Sequence, residues 1–239
     1  MLFFRLMLRG WALVMRGLRR LLETFGLLGA LERWAQKSRI ALWFRSQFSL
    51  YDVNDFMKLD LPWWTLNAVT LVDEYLAARP HASVFEWGSG ASTMWLEKRA
   101  AEVISVENDS EWHTMMSGLV GPQTHLQHVP AVPSDNPGVA SRWWGQRGLD
   151  FSDYVNAIDQ FPGVFDLIVI DGRARTACLD KALERLTHDG MVVFDNTNRP
   201  RYREALQQTH GRLEEFMTYG LTPSLPYSTT TSLLKKTTA

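Results

Sequence analysis

The sequence predicts an α/β fold, a doubly wound and mostly parallel sheet of seven strands with an antiparallel C-terminal edge hairpin and an N-terminal helical extension. Three observations predict it. Short β-type runs alternate with helical patterns through the middle of the chain, as they do where a parallel sheet carries helices on both faces. Residues 165–170 are apolar except for Asp166, as suits a strand covered on both sides. The tail breaks the alternation: 213–219 and 227–234 read as strands with no helix between them, only the proline-rich 221–226.

The 239 residues divide into an extension, 1–48, and a main domain, 49–239. In the extension nine basic side chains face only Glu23 and Glu32, a surplus of seven, so the rest of the chain stands at −8 for a total of −1. Turned by about 100° per residue, Arg5, Arg9, Arg16, Arg19 and Arg20 share an arc of about 100°. Phe3, Phe4, Met7, Trp11, Val14, Leu18, Leu21 and Leu22 fall opposite. This basic amphipathic helix suits an anionic membrane surface. Packing on its own chain, oligomer contact and organelle targeting are the open alternatives. Charges interrupt every window of about 20 residues, which excludes a span, and no secretory cleavage site follows. The expected location is cytoplasmic, with peripheral attachment to the cytoplasmic face of a membrane as the variant. The acidic remainder argues against a nucleic-acid partner. Cys178, the only cysteine, excludes disulfides and thiolate clusters and reads as a buried apolar residue.

The main domain opens at 52–60 with Pro62-Trp63-Trp64. A helix follows over 65–79, with Leu66, Val69, Val72 and Leu76 on one face. Strands are expected at 83–86, 102–107, 125–129, 165–171 and 191–195, and helices near 92–99, 110–119, 151–160, 175–186 and 201–210. The 130–148 loop is long enough to be a lid or binding loop. In it Trp143 and Trp144, with Arg142 and Arg147, suit either a sugar-stacking surface or an apolar plug.

The first strand ends at Glu86 and turns at once into Gly88-Ser89-Gly90. Ligands of open α/β sheets bind outside the carboxyl ends of the strands, and two glycines let the backbone approach one closely. Ser92 or Thr93 then caps a helix whose free N–H groups favour an anion. Glu107, nineteen residues past Gly88, ends the second strand where an acid takes ribose hydroxyls. Together they point to a ribosyl cofactor. Glu86 would repel a pyrophosphate and suits an ammonium group instead.

These segments, EWGSGAST-MWL, VISVENDSEW, FDLIVIDGRAR and VVFDNTNR, resemble the class I S-adenosylmethionine-dependent methyltransferases. They are most like a bacterial group reading E-x-GSG-x-ST, D-G-R-x-R and D-N. The resemblance runs from about Asp60 to Lys236 and implies a Rossmann-like sheet with S-adenosyl-L-methionine as cofactor. It implies that Glu86, Gly88, Ser89 and Gly90 hold the methionine end and that Ser92 and Thr93 meet its carboxylate. Glu107 would take the ribose, Trp112 the adenine side, and Asn108 and Asp171 would also border the cofactor. Similarity to glycan-modifying relatives implies methyl transfer to a small polar acceptor, a sugar or glycan hydroxyl. A nicotinamide oxidoreductase and a non-catalytic scaffold attached through its first helix are the alternatives.

The chemistry is expected at the next two strand ends, Asp171-Gly172-Arg173-Ala174-Arg175 and Asp195-Asn196. Asp171, Asp195 and Asn196 form an oxygen-rich set for a divalent metal such as Mg²⁺. Arg173 and Arg175 stand where similar metal-dependent O-methyltransferases carry a further acid. The other reading makes Asp171 or Asp195 a general base, with the arginines as a clamp for an anionic acceptor.

Overall fold

The computed structural model describes residues 2–50, 52–142, 145–209 and 211–237; Trp143, Trp144 and His210 lie outside them, as do the side chains of Phe3, Phe4 and Arg5. Helices α1 (Leu2–Thr24), α2 (Leu28–Ala35) and α3 (Arg39–Ser46) come first, followed by α4 (Val53–Met57) and α5 (Leu66–Ala77). The alternating region runs β1 (Ser83–Trp87), α6 (Ala91–Glu97), β2 (Glu102–Glu107), α7 (Ser110–Ser117) and β3 (Thr124–His128). A small pair, β4 (Val132–Pro133) and β5 (Leu149–Asp150), precedes α8 (Ser152–Asn156). Then follow β6 (Phe165–Ile170), α9 (Arg175–Arg185), β7 (Leu186–Asp195), α10 (Pro200–Gln207), β8 (Leu213–Gly220) and β9 (Thr229–Lys236).

Seven strands form one sheet in the order β3-β2-β1-β6-β7-β9-β8. The pairings from β3 to β7 are parallel, and β9 joins β7 antiparallel with β8 outside it, as the sequence predicts. The strand order reverses between β1 and β6, so the carboxyl ends of β1, β2, β6 and β7 border the crevice where such sheets take ligands.

Side chains alternate along each strand, and the two faces bury separate cores. Phe85, Ile104, Ile168, Val192 and Phe194 pack against Tyr154, Cys178, Leu179 and Tyr202 on one face. Val84, Val103, Leu167, Val169 and Val193 pack against Val69, Val72, Leu76 and Trp95 on the other. Cys178 is fully buried, and burial pushes its thiol pKa up.

Boundaries move where polar residues hide a strand. β7 begins at Leu186 rather than 191, because its register with β6 slips between Phe165 and Leu167 and carries Thr187-His188-Asp189-Gly190 through as an irregularity. The long loop is pinned at its base: β4 pairs with β5, and the Asp150 carboxylate accepts from the N–H of Gly138 (2.8 Å) and of Val139 (3.2 Å).

The apolar side of α1 divides in two. Trp11, Met15, Leu18 and Leu22 pack with Leu31, Ala35, Ala41 and Phe48, whereas Met7, Val14 and Leu21 face solvent. Residues 1–48 meet the rest of the chain through Leu42 and Trp43, which pack against the second core, and through polar contacts. Buried Arg45 grips Asp55 with two bonds (2.8 and 2.9 Å), and Trp43 Nε1 donates to the Leu225 carbonyl (2.9 Å). Burial alone would raise Asp55; the bonds from Arg45 and Ser49 outweigh it and hold the carboxyl at about 2.

Candidate functional site

The loop after β1 is built by its backbone. Gly88 sits at φ +96°, and a Cβ there would lie 2.5 Å from Gly172 Cα, so the β1 and β6 loops are in backbone contact. Gly90 differs. Its φ of 171° is ordinary extended backbone, and a Cβ would point into open space. Behind this loop Glu86 is fully buried and accepts from the hydroxyls of Ser92, Thr93 and Ser105. Burial raises its pKa to about 7, the three hydroxyls pull it down, and the charge of Asp171 adds to the rise. Glu86 and Thr93 are therefore set behind the loop and do not line the cavity in front of it, whereas Ser92 borders that cavity with its hydroxyl directed to Glu86.

At the end of β2, Glu107 accepts from the N–H groups of Ser89 (3.1 Å), Asn108 (2.8 Å) and Asp109 (2.9 Å) and from Ser89 Oγ (3.2 Å). Burial raises its pKa against the pull of those donors. Trp112 Nε1 donates to the Ser89 carbonyl (2.8 Å), so one indole anchors the glycine loop and presents its ring to the same space.

Asp171 and Asp195 end β6 and β7 on the opposite side. Arg175 joins them: Nη2 donates to Asp171 Oδ1 (2.6 Å), Nη1 to the Asp195 carbonyl (2.8 Å) and Nε to the Gly172 carbonyl (3.0 Å). Burial raises Asp171, with Arg175, Arg199 and Arg173 opposing it. Asp195 is pushed up to about 7, first by burial and then by the neighbouring charge of Asp171. Thr231 Oγ1 donates to its Oδ1 (2.7 Å) and the Asn196 amide to its Oδ2. This donor set does not fit a divalent metal. The Asn196 carbonyl oxygen already accepts from Arg199, the Arg175 guanidinium lies between the carboxylates, and no group of three His, Cys, Asp or Glu side chains suited to an ion occurs among the described residues.

These strand ends enclose a cavity of about 830 Å³, lined by Gly88, Gly90, Glu107, Trp112, Asp171 and Asp195 among others, with Leu8, Leu50 and Trp63 on its far wall. It brings together the residues that the sequence places far apart. A second cavity of about 230 Å³ shares Arg173, Arg175 and Arg199 with it and adds Arg142 and Arg201. Arg201 is held by Tyr202, with Nη2 3.0 Å from the phenol oxygen and the guanidinium 4.6 Å from the ring centroid. Sequence reading passes over Arg199 and Arg201. Their visible signal is Arg-Pro-Arg at the start of α10, just beyond the Asp195-Asn196 strand end. His113 and His128, fifteen residues apart in sequence, meet ring to ring at 5.1 Å, because α7 folds onto β3.

No family model and no curated protein matches the chain. Among solved structures it is similar to an O-methyltransferase from Bacillus cereus in complex with SAH (TM-score 0.54, 14% identity), covering 80% of this chain and 90% of that one. It is similar as well to a protein from Klebsiella pneumoniae described as an O-methyltransferase (TM-score 0.53, 14% identity; 81% and 90% covered). The chain has the class I methyltransferase fold. An rRNA methylase from Streptococcus thermophilus is a looser match (TM-score 0.48, 12% identity; 71% and 96% covered). In the methyltransferase fold of this chain the extension and its contacts to Asp55 and Leu225 precede the sheet, and the 830 Å³ cavity lies at the strand-order reversal.

Proposed function

We propose that the protein transfers a methyl group from S-adenosylmethionine to a hydroxyl of a small polar acceptor, a sugar or glycan that carries a negative charge. The observation that carries this reading is the 830 Å³ cavity, which has a ribose-type acid, Glu107, on one side and Asp195, shifted to about 7, on the other. The residues fit the cofactor: Gly90 leaves the space a Cβ would fill, Glu107 offers its carboxylate, and Trp112 offers an apolar ring. Bound there, the cofactor supplies an electrophilic methyl group. Asp195 takes the proton of the acceptor hydroxyl as general base, Arg175 fixes the two carboxylates, and Arg199 and Arg201 hold the acceptor's anionic group in the adjoining cavity.

Two outcomes test the reading. Glu107→Ala is expected to weaken S-adenosylmethionine binding by a few kcal/mol, since bonds to a charged group contribute about 1.5–3 kcal/mol each. Unchanged affinity in titration calorimetry removes the ribose assignment. Arg201→Ala is expected to raise KM for an anionic sugar by about tenfold, the loss of one charge-assisted contact, with kcat little changed. A fall in kcat at constant KM would instead put Arg201 in the chemical step.

A further inference from the structure

Helix α1 turns one apolar strip inward and a second one outward. With residues advancing by about 100° each, Trp11, Met15, Leu18 and Leu22 meet α2 and α3. Leu6, Met7, Leu13, Val14 and Leu21 fall within about 120° on the adjoining side and are 54–66% exposed. Gly10 and Gly17 lie along the middle of this strip and carry no bulk to interrupt it. Arg9, Arg16 and Arg20 line one flank, all exposed, with no carboxylate partner among the described residues. Arg19 turns inward to Glu23 and Asp55. A contiguous exposed apolar strip of this kind marks an interaction surface.

The charge pattern selects the occupant. Unpaired arginines beside an apolar strip complement anionic headgroups lying over an acyl region. A second copy of the chain complements them poorly. A strip one helix wide falls short of the ~800 Å² that each partner of a stable complex contributes. An antiparallel two-fold pairing of α1 with itself would also bring both arginine flanks to the same side. We propose that the outer face of α1 seats on an anionic lipid surface, with Leu6, Leu13, Val14 and Leu21 entering the acyl boundary and Arg9, Arg16 and Arg20 meeting the headgroups. No described helix is long and apolar enough to cross a membrane, so α1 lies along the surface. Leu8, on the inner side, borders the large cavity, which leaves that cavity and the lipid contact on different sides of the helix.

The test is sedimentation of the full chain with vesicles of mixed phosphatidylglycerol and phosphatidylcholine, or of phosphatidylcholine alone. The wild type is expected to pellet with the mixed vesicles about tenfold better, as electrostatic attraction adds to apolar insertion. The Leu13→Glu/Val14→Glu and Arg9→Glu/Arg16→Glu variants are both expected to stay in the supernatant, with wild-type melting temperature and wild-type S-adenosylhomocysteine binding. Wild-type protein that ignores both vesicles overturns the proposal, as do folded variants that pellet like wild type. A wild-type dimer in light scattering that Leu13→Glu/Val14→Glu dissolves, with no vesicle binding, overturns it in favour of a second copy.

Discussion

Gly88→Ala is expected to lower the melting temperature by roughly 10 °C, whereas Gly90→Ala leaves it within about 2 °C and weakens S-adenosylmethionine binding at least tenfold. The two glycines are two residues apart and look equivalent in sequence. At Gly88 a methyl group would stand 2.5 Å from Gly172 Cα and 2.7 Å from its nitrogen, both backbone atoms that cannot swing away, at a φ of +96°. Left-handed strain of about 1–3 kcal/mol adds to overpacking of about 1–3 kcal/mol, and a domain of this size loses about 2–4 °C for each kcal/mol. At Gly90 nothing lies within 4 Å of the added Cβ, so folding is indifferent and only a ligand in the cavity meets the methyl group. Scanning calorimetry and cofactor titration on the two variants separate the effects. Equal binding by Gly90→Ala and wild type would place the cofactor elsewhere.

That contrast also shows what sequence reveals and what it hides. The strand-acid-glycine-helix pattern and the acid ending the next strand fix local geometry, so the sheet, its hairpin and the position of Glu107 were legible. Contacts between loops were not. Nothing near Gly88 says that its neighbour is Gly172, because every element from α6 to β6 lies between them in the chain. The same holds for Arg175, which reads as a clamp for an anion but is 8% exposed and bonded to three backbone carbonyls. Arg199 and Arg201, at the start of α10, extend the basic wall that Arg173 and Arg175 also line. In the extension, a single helical wheel merges two apolar strips that only tertiary packing separates.

Asp195 provides the second large effect. Its carboxyl is 3% exposed, and burial together with the charge of Asp171 pushes it up to about 7. Below that pH it holds a proton and cannot accept another; above it the group is a base. The rate kcat is therefore expected to rise as pH passes through about 7 and then level off. Asp195→Asn is expected to erase this rising limb and lower kcat by about 10²–10⁴, with cofactor affinity retained. Asp171→Asn removes the second cause of the shift and is expected to move the limb to lower pH. Stability moves the other way. Between the ordinary value of 3.8 and about 7 the folded protein binds the extra proton, so wild type loses stability as pH rises across that window, and Asp195→Asn is flatter there. A buried carboxyl with no part in the chemistry would give the stability slope alone. Rate and stability slopes that both depend on Asp195 identify the general base, and a pH-rate profile unchanged in Asp195→Asn assigns the proton transfer to another group.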